Sequence, residues 1–208
     1  MRLILATSNQ DKIIEIQEIY KPFGQNALEI LAWSDLCDPF EIDENGKTFQ
    51  ENALIKSKAV FNTLHAKNLL SQNDIILSDD SGICVDALDG KPGIHSARYS
   101  GGDSKANLEK LLCEVAKLPS QTSKAHYCAS IGISSFYGDF STHGFMYGKV
   151  IANQRGKNGF GYDPMFIPQG FTQTLAELTK EEKNAISHRY IALNRAKYIL
   201  RALFKAFK

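Results

Sequence analysis

Two adjacent carboxylates follow a short apolar run near the middle of the chain. The run at residues 75–77 leads through Ser78 into Asp79, Asp80 and a Ser-Gly pair. Neighbouring carboxylates repel each other unless a cation or hydrogen-bond donors compensate their charge. The pattern therefore predicts a divalent-metal site just past the C-terminal end of a buried strand, where open α/β sheets bind ligands. The alternative is an ordinary turn that closes the strand, since Asp, Ser and Gly are common turn residues.

Basic side chains elsewhere in the sequence have the chemistry to bind a phosphorylated ligand. Lys12 lies at a predicted helix start, where free N–H groups favour an anion, although a plainly capped helix explains the same pattern. Lys56 falls towards the middle of a helix and either is solvated or points inward at a ligand. Arg98 is a candidate phosphate or carboxylate fork, or a structural contact within its loop. His188 and Arg189 fall in the first turn of the last helix, against the helix dipole, which hints at a ligand there.

A basic, glycine-rich segment at residues 153–163 is suited to present an aromatic ring to a flat ligand. Phe160 lies between Gly159 and Gly161, so the backbone beside the ring can approach a ligand closely. The alternative is a β-bulge in which Phe160 is buried.

The hydrophobic pattern predicts the strands and helices that must position these residues. Short apolar runs predict buried strands at residues 3–7, 28–33 and 75–77. Two longer alternating segments predict a β-hairpin, at residues 125–136 and 140–151. Capping residues followed by helical periodicity predict helices that begin after residues 7–12, at Thr48, at Asp103 or Ser104, at Thr179 and at Ser187. The hairpin makes the predicted sheet mixed rather than purely parallel.

Composition and charge narrow the class of protein. The chain has 208 residues, of which 43% are hydrophobic and 23% charged, and its formal net charge is +1, all typical of a globular protein. A near-neutral balance provides no global basic field, so we expect no nucleic acid as a partner. No apolar segment approaches the ~20 residues that span a bilayer, and the N-terminal apolar run is too short for a signal peptide. The missing apolar segment leads us to expect no membrane association. Four cysteines without metal-binding spacing indicate free thiols in a reducing compartment, so we expect a cytoplasmic location.

Several motifs, each weak alone, occur in order over nearly the whole chain and together are specific. They read Thr7-Ser8-Asn9-x-x-Lys12, Thr48-Phe49-x-Glu51-Asn52-Ala53-x-x-Lys56, Asp79-Asp80-Ser81-Gly82, Pro92-Gly93-x-x-Ser96-Ala97-Arg98-Tyr99, Gly159-Phe160-Gly161-Tyr162-Asp163-Pro164 and Lys183-x-x-Ile186-Ser187-His188-Arg189. The sequence resembles the inosine triphosphate pyrophosphatase family, the Ham1-like or RdgB-like noncanonical purine nucleoside triphosphatases, and it resembles the bacterial members best.

The resemblance implies an α/β fold with an elongated mixed β-sheet flanked by helices. Residues 1–208 would form a single domain of two lobes, with the substrate in the central cleft. The resemblance also implies a Mg²⁺-dependent hydrolase that converts ITP, dITP and XTP to the monophosphate and pyrophosphate and so cleanses the nucleotide pool. Members of the family are usually homodimers, so we expect a homodimer here.

The resemblance assigns roles to particular residues. Asp80 is the expected proton acceptor for a water that attacks the α-phosphorus. Asp80 and Glu44 are the expected Mg²⁺ ligands, with Asp79 and Asp43 as near alternatives. Phe160 is the natural stacking platform for the purine, beside residues that would read the edge of the base or hold the sugar. The expected substrate contacts are Thr7, Ser8, Asn9, Gln10, Asp11, Lys12, Lys56, Ser81, Phe160, Gly161, Tyr162, Asp163, Lys183, His188 and Arg189.

Two alternative functions compete with this interpretation. A Maf-like nucleotide pyrophosphatase shares the architecture but prefers other bases, and the Phe-Gly-Tyr-Asp and Ser-His-Arg motifs argue against it. A noncatalytic nucleotide- or nucleic-acid-binding module would keep the fold, but the complete set of carboxylates and lysines argues against that. One position departs from the family pattern: Gln10-Asp11 stands where many relatives carry a glycine before the lysine, which leaves the conformation of this loop open.

Overall fold

The computed structural model describes residues 2–7, 9–20 and 28–206. The strands are β1 (Arg2–Leu5), β2 (Glu29–Ala32), β3 (Ile75–Val85), β4 (Thr122–Ser135), β5 (Gly138–Ile151) and β6 (Phe166–Pro168). The α-helices are α1 (Gln10–Tyr20), α2 (Phe49–Ala66), α3 (Ser104–Ala116), α4 (Lys180–Ile186) and α5 (His188–Ala206). Each predicted strand and helix is confirmed, although β3 is much longer than predicted and β6 is additional.

The helices begin where their capping residues predict. Thr48 and Thr179 each form a capping box with the glutamate three residues later, at the starts of α2 and α4. Asp103 rather than Ser104 caps α3, since its side chain accepts the Ala106 N–H at 2.8 Å. These caps satisfy backbone donors that the first helical turn would otherwise leave without partners.

The six strands form one mixed sheet in the order β2-β1-β3-β4-β5-β6. β1 is parallel to β2, with Arg2 opposite Glu29, and parallel to β3, with Leu3 opposite Ile75. β5 pairs with β6 in the antiparallel sense. The predicted α/β class and the predicted mixed sheet are therefore confirmed.

The acidic residues after the apolar run lie inside a strand and not in a turn. β3 continues from the apolar run through Asp79 and Asp80 to Val85. The prediction of a strand that ends before the carboxylates is wrong, and so is the alternative of a strand-closing turn. β1 ends at the level of Leu77, but β4 is β3's other neighbour and is 14 residues long, so β3 keeps a hydrogen-bonding partner beyond that point.

The chain divides into two compact units. The first contains the described residues of 1–80, 130–143 and 192–208, and the second contains residues 81–129 and 144–191. β3 passes from the first unit into the second between Asp80 and Ser81. The predicted site residues up to Asp80 therefore belong to the first unit, and those from Ser81 onward belong to the second.

In the first unit, α2 packs against the sheet through an apolar face. Ile4 of β1 and Ile76 of β3 form a buried cluster with Val60 and Leu64 of α2. Burial of such side chains stabilises the contact by roughly 25 cal/mol for each Å² of apolar surface removed from water. Because α2 also carries Lys56, this packing determines which face of the sheet the lysine reaches.

The second unit has its own core, in which aromatic rings are prominent. Ile83 of β3 and Leu111 of α3 pack in one cluster with Tyr127 of β4, Tyr162 and Phe166. Buried tyrosines normally need a partner for the hydroxyl group. The Tyr162 hydroxyl donates to the Ser96 carbonyl at 2.7 Å, and the Tyr127 hydroxyl lies 3.4 Å from the Asp163 carboxylate. Ser96 and Asp163 both stand in motifs quoted above.

None of the four cysteines forms a disulfide, which confirms the predicted thiols. Cys128 is buried, Cys37 and Cys84 are half-buried, and Cys113 is exposed. In the described part of the chain, no helix is long and apolar enough to cross a membrane.

Candidate active site

The two adjacent carboxylates of β3 point to opposite faces of the sheet. Side chains alternate along a strand, so Asp80 shares a face with Ser78 while Asp79 faces the other way. Ser78 donates a hydrogen bond to the Ala53 carbonyl of α2 at 2.5 Å, so Asp80 lies on the α2 side. Asp79 instead forms an ion pair with Lys12 of α1. The strand thus separates two neighbouring carboxylates and gives each one its own lysine.

Asp80 is held by Lys56 in a largely buried ion pair. The Lys56 Nζ lies 2.8 Å from Asp80 Oδ1 and 3.2 Å from Glu44 Oε2. Asp80 is only 7% exposed, and its Oδ2 has no hydrogen-bond partner among the residues that the structure describes. Lys56 therefore points inward, and one buried oxygen of Asp80 is available to a water, a cation or a ligand.

Burial and charge act in opposite directions on the protonation of this pair. Burial raises the pKa of the Asp80 carboxyl, and the ammonium groups of Lys56 and Lys12 oppose the rise only in part. Burial alone would lower the pKa of Lys56, but the nearby carboxylates, Asp80 first, outweigh it and raise that pKa. The lysine therefore stays charged, while the carboxylate is a stronger base than an exposed aspartate.

Small residues fix the distance between α2 and the sheet. Ser134 of β4 donates a hydrogen bond to the Ser57 hydroxyl of α2 at 2.9 Å, which adds to the contact made by Ser78. At Gly132 of β4 an added Cβ would lie 2.5 Å from the Ala53 carbonyl oxygen and 2.7 Å from the Ser78 Oγ. Any side chain there would push α2 away from the strand, so the glycine allows the close approach that places Lys56.

Lys12 lies in the first turn of α1, next to β3. Its ammonium group pairs with the Asp79 carboxylate and also lies 3.4 Å from the Asp79 carbonyl oxygen. Asn9 caps the helix, because its side chain accepts the Lys12 backbone N–H at 3.2 Å. The Asn9 N–H in turn donates to the Thr7 Oγ1 at 3.2 Å. Thr7 and Asn9 are therefore linked by hydrogen bonds to each other and to the start of α1.

Three further predicted contacts lie at the start of this helix. Gln10 is the first residue of α1 and is exposed. Ser8 and the side chain of Asp11 lie outside the described residues. Their roles as substrate contacts therefore stay predictions.

A first group of predicted residues, which we call the carboxylate–lysine cluster, consists of Lys12, Glu44, Lys56, Asp79 and Asp80. It offers oxygen ligands of the kind that Mg²⁺ prefers, and Mg²⁺ usually takes one or two protein carboxylates together with water and substrate phosphates. Asp80 and Glu44 fit this role together, because Asp80 Oδ1 and Glu44 Oε2 converge on one point, 2.8 and 3.2 Å from the Lys56 ammonium. Within the described ranges, no three or more His, Cys, Asp or Glu side chains are arranged to hold a metal by themselves. A magnesium ion here would therefore depend on ligands that arrive with the substrate.

The alternative metal ligands are occupied by other groups. Asp79 is engaged by Lys12 on the other face of the strand. Asp43 is exposed and accepts a hydrogen bond from the Asn45 side chain at 3.1 Å. Glu44 and Asp80 are paired as well, with Lys56, but these two carboxylates share one cation and so lie close together, whereas Asp79 and Asp43 have separate partners.

In the second unit, Phe160 projects from a loop shaped by glycines. Gly159 and Gly161 have φ values of 75° and 63°, a region that favours glycine. Phe160 is 40% exposed, so the alternative of a buried phenylalanine in a bulge is wrong. The Lys183 ammonium lies 4.5 Å from the ring centroid, and the Arg189 guanidinium carbon lies 5.9 Å from it. The loop thus presents a flat ring beside positive charge.

Asp163 is the buried anchor of this loop. Its Oδ2 accepts hydrogen bonds from the Lys183 ammonium at 2.7 Å and from the Phe160 backbone N–H at 3.0 Å. A Cβ added at Gly159 would lie 2.2 Å from the same oxygen, so only glycine fits. Asp163 therefore determines where Lys183 and Phe160 lie relative to each other.

His188 and Arg189 are the first residues of α5, and both are buried. The Arg189 Nη2 donates a hydrogen bond to the Ser81 Oγ of β3 at 2.9 Å. The His188 imidazole stacks on the Tyr127 ring, with centroids 4.7 Å apart and an angle of 15° between the planes. The protein itself therefore supplies partners for two side chains that the helix dipole does not favour.

Tyr162 faces the core of the second unit. Its hydroxyl donates a hydrogen bond to the Ser96 carbonyl at 2.7 Å, and burial raises its pKa. The Ser96 hydroxyl accepts the Ile83 N–H of β3 at 2.9 Å. Tyr162 thereby ties the loop that carries Phe160 to the segment that follows β3, while Gly161 offers only backbone.

A second group of predicted residues, which we call the aromatic–cation cluster, consists of Phe160, Asp163, Lys183, His188 and Arg189. Arg98 does not belong to it, because Arg98 lines a separate cavity of about 720 Å³ together with Lys91 and Lys110. His126 and His143 also lie outside both clusters; His126 packs near Phe145, with ring centroids 6.0 Å apart. The two clusters account for most of the predicted site residues that the structure describes.

Sequence reasoning missed the residues that position the clusters. Two of them carried a signal. Ser78 is a hydroxyl within a buried apolar run and so needs a hydrogen-bond partner, and Ser96 stands in one of the family motifs, although no role was assigned to it. Gly132 and Tyr127 stand in segments whose pattern fits many side chains equally well. Their roles depend on which elements approach each other, and a periodicity does not report that.

Comparison with known proteins covers nearly the whole chain. A sequence model of the Ham1 family matches residues 3–199. The chain is similar to the dITP/XTP pyrophosphatase of Campylobacter jejuni subsp. doylei, at 56% identity over 99% of this chain and 100% of that protein. It is also similar to the dITP/XTP pyrophosphatase of Sulfurimonas denitrificans, at 50% identity over 98% of this chain and 100% of that protein.

Solved structures show the same fold. The Staphylococcus aureus Ham1 protein is similar with a TM-score of 0.82 and 34% identity, over 97% of this chain and 99% of that one. A HAM1 protein from Coxiella burnetii is similar with a TM-score of 0.80 and 31% identity, over the same shares of the two chains, 97% and 99%. The mixed six-stranded sheet flanked by helices is therefore an architecture that these proteins share.

Proposed function

The chain belongs to the Ham1 family, and we propose that it hydrolyses the noncanonical purine nucleoside triphosphates ITP, dITP and XTP to the monophosphate and pyrophosphate. It is a hydrolase of triphosphate anhydride bonds, as full-length relatives named dITP/XTP pyrophosphatases indicate. The observation that carries the mechanism is the buried Asp80, which has one oxygen on Lys56 and the other without a hydrogen-bond partner among the described residues. A reaction that activates water beside a polyanion needs this combination of a base and a cation.

Asp80 acts as the proton acceptor in the proposed reaction. Its Oδ2 takes a proton from the water that attacks the α-phosphorus, and burial strengthens it as a base. Lys56 holds Oδ1 and so keeps the carboxylate in one orientation. The bond between the α-phosphorus and the bridging oxygen breaks, and pyrophosphate leaves with that oxygen.

Lys12 and Lys56 neutralise charge on the triphosphate. A nucleoside triphosphate carries about four negative charges at neutral pH and is stabilised by charge-assisted hydrogen bonds from several directions. Each lysine is held in place by a carboxylate, Lys12 by Asp79 and Lys56 by Asp80. Both ammonium groups are therefore positioned before the substrate binds, which lowers the cost of ordering them.

Asp80 and Glu44 are the residues that would hold Mg²⁺. Asp80 Oδ1 and Glu44 Oε2 converge near the Lys56 ammonium, and this oxygen-only pair fits the ion while Asp80 Oδ2 stays with the water. When bound, Mg²⁺ polarises phosphoryl oxygens and neutralises charge on the leaving group. We expect Glu44→Gln to weaken Mg²⁺ binding in the presence of IMP and pyrophosphate, measured by titration calorimetry. Unchanged binding would remove Glu44 from the ligand set.

The aromatic–cation cluster binds the purine in this proposal. The exposed ring of Phe160 stacks on the base, and the donors of His188 and Arg189 face its polar edge. Hypoxanthine and xanthine carry an acceptor oxygen at position 6, where adenine carries a donor amine. Donors placed there would face adenine's amine without an acceptor, at a cost of about 1–3 kcal/mol.

The deciding experiment is a pyrophosphate-release assay on ITP, XTP, GTP, ATP and dTTP, with Mg²⁺ and with EDTA. We expect rapid release from ITP and XTP, little from ATP, and none without the metal. Equal rates on ATP and ITP would contradict the proposed selectivity, and a preference for dTTP would favour the Maf-like alternative. Binding of all the nucleotides without turnover would favour the noncatalytic module.

The position of attack is tested with oxygen-18 water. Attack on the α-phosphorus places the label in the monophosphate, whereas attack on the β-phosphorus places it in the pyrophosphate. Release of orthophosphate would contradict both. The label therefore tests the position of attack independently of the base specificity.

We also propose a homodimer that acts in the cytoplasm, where the nucleotide pool is. Light scattering at micromolar concentration is expected to give twice the mass of one chain. A mass of one chain under the assay conditions would contradict the dimer, and recovery of the activity outside the cytoplasmic fraction would contradict the location.

A further inference from the structure

We propose that Tyr127 is a positioning residue that holds the His188 imidazole in the orientation in which it meets the purine base. The inference rests on the proposed function, because it concerns how that function selects its base. Tyr127 lies on β4, belongs to none of the motifs that identify the chain, and is buried in the core of the second unit. It is therefore not itself a group that contacts substrate.

The Tyr127 ring stacks on the His188 side chain. Their centroids lie 4.7 Å apart with 15° between the planes, which is a stacked arrangement. Phe166 contacts the Tyr127 ring in an edge-on geometry, at 4.8 Å and 64°. Tyr127 is thus fixed by the core on one side and lies flat against the imidazole on the other.

A flat contact restricts a histidine in a way that ordinary apolar packing does not. The imidazole of a surface histidine rotates about its terminal torsion, which has broad energy wells. A parallel ring at stacking distance leaves only those orientations in which the imidazole lies parallel to it. The plane in which the ring nitrogens lie is then set by the core and not by the ligand.

Tyr127 also contacts the other anchor of the cluster, but more weakly. Its hydroxyl lies 3.4 Å from the Asp163 Oδ1, beyond the 2.5–3.0 Å usual for such bonds. Lys183 and the Phe160 N–H already bind the other oxygen of Asp163 at 2.7 and 3.0 Å. The ring, and not the hydroxyl, therefore carries the positioning role.

Tyr20 provides a matched control in the first unit. It is a fully buried tyrosine whose hydroxyl donates to the Leu193 carbonyl at 2.9 Å. Neither Tyr20 nor Leu193 belongs to either cluster. Replacement of Tyr20 removes a buried tyrosine ring, as replacement of Tyr127 does, so it measures the cost of lost packing away from the aromatic–cation cluster.

The test compares Tyr127→Phe, Tyr127→Leu and Tyr127→Met with Tyr20→Leu. We measure KM and kcat for ITP and ATP, and the dissociation constant of IMP by calorimetry without metal. Tyr127→Phe keeps the ring and is expected to behave as wild type. The leucine and methionine variants are expected to raise the KM for ITP and the IMP dissociation constant about twofold to tenfold, the range of one aromatic pair. Their kcat for ITP stays within about twofold of wild type. The ratio of kcat/KM for ITP to kcat/KM for ATP falls by the same factor by which the KM for ITP rises.

The outcomes separate this inference from the proposed function. Wild-type protein that hydrolyses ATP and ITP equally contradicts the proposed function and with it this inference. If wild type discriminates but Tyr127→Leu binds IMP no worse than Tyr20→Leu, the positioning role alone is wrong. The positioning role is also wrong if Tyr127→Phe loses as much affinity for IMP as Tyr127→Leu. If the leucine variant does not fold, Tyr127→Met takes its place in this comparison.

Discussion

The carboxylate–lysine cluster is positioned by regular elements, whereas the aromatic–cation cluster is positioned by a loop and by contacts between side chains. In the first, strand alternation places Asp79 and Asp80 on opposite faces, and α1 and α2 bring one lysine to each. In the second, glycines with positive φ shape the loop around Phe160, and Asp163 holds the loop in place. The difference matches the tasks proposed for them, since charge must be placed accurately around a reacting phosphorus, while a base is recognised by an adjustable surface.

We expect substitutions in the two clusters to change different kinetic constants. Removal of a charged group from the first cluster should lower kcat, because the transition state loses its base or its counter-charge. Loss of a ring from the second should raise KM, because ground-state and transition-state binding of the base weaken equally.

The largest effect is expected for Asp80→Asn. The amide keeps the shape of the side chain but cannot accept the proton, so kcat should fall by about 10²–10⁴-fold. Pyrophosphate release measures the loss, and thermal unfolding checks that the fold is intact. A folded variant with a wild-type rate would show that the first cluster does not do the chemistry.

The next largest effect is expected for Lys56→Met, with Lys58→Met as its control on the same helix. Lys56 is largely buried between two carboxylates, so its loss should lower kcat about 10²-fold, as for other preorganised groups that stabilise developing charge. Lys58 pairs with Asp139 at 3.1 Å at the surface, where such a pair contributes little. Equal losses in the two variants would mean that general charge, and not position, matters in this cluster.

A smaller effect, on KM rather than kcat, is expected for Phe160→Ala. Stacking of a base on an aromatic ring contributes about 1–3 kcal/mol, which corresponds to a KM for ITP raised roughly fivefold to 150-fold. Phe171→Ala is the control, since Phe171 is exposed to nearly the same extent, 37% against 40%, but lies outside the cluster. A fall in kcat with an unchanged KM would remove the distinction between the two clusters.

The smallest effect on activity is expected for Asp74→Asn, which tests stability away from both clusters. Arg2 donates hydrogen bonds to both oxygens of Asp74, and the Ser71 N–H donates to one at 2.7 Å. Burial alone would raise the pKa of Asp74, but these hydrogen bonds outweigh it and lower that pKa. The variant should lose about 1–2 kcal/mol of unfolding free energy at pH 7 with unchanged kcat and KM.

The same carboxylate gives this prediction a pH dependence. Because its folded pKa lies below the unfolded value of about 3.9, its contribution is complete above that value and is lost as the pH falls through the folded pKa. The difference between wild type and Asp74→Asn in urea unfolding should therefore shrink below about pH 4. A difference that is constant from pH 7 to pH 3 would exclude the ion pair as its cause.

The sequence predicts the elements well and their contacts poorly. Apolar periodicity and capping boxes locate the strands and helices, since both patterns are local consequences of burial and of unsatisfied N–H groups. The predicted end of β3 was wrong because a strand tolerates polar residues where partners from other elements compensate them. Here the partners are Lys12 and Lys56. Those partners are distant in sequence, so no local pattern reports them.

In the candidate site, likewise, the sequence predicts the residues well and their arrangement poorly. The motifs name Asp80, Lys56 and Phe160, but they do not say that Asp79 faces away from Asp80 or that Lys56 is largely buried. Strand alternation explains the first once the strand is known to continue. Tyr127 shows the limit more clearly, because its role depends on an aromatic contact between β4 and the start of α5 that neither segment encodes alone.

Gly132 gives the first cluster an unusual vulnerability. Its missing side chain sets the gap between β4 and α2, and the reach of the Lys56 ammonium depends on that gap. Inherited or engineered variation at this position would leave every acid, base and cation of the chain in place. It would nevertheless resemble an active-site lesion, so a survey of variants that scores only functional groups would class a damaging change as harmless.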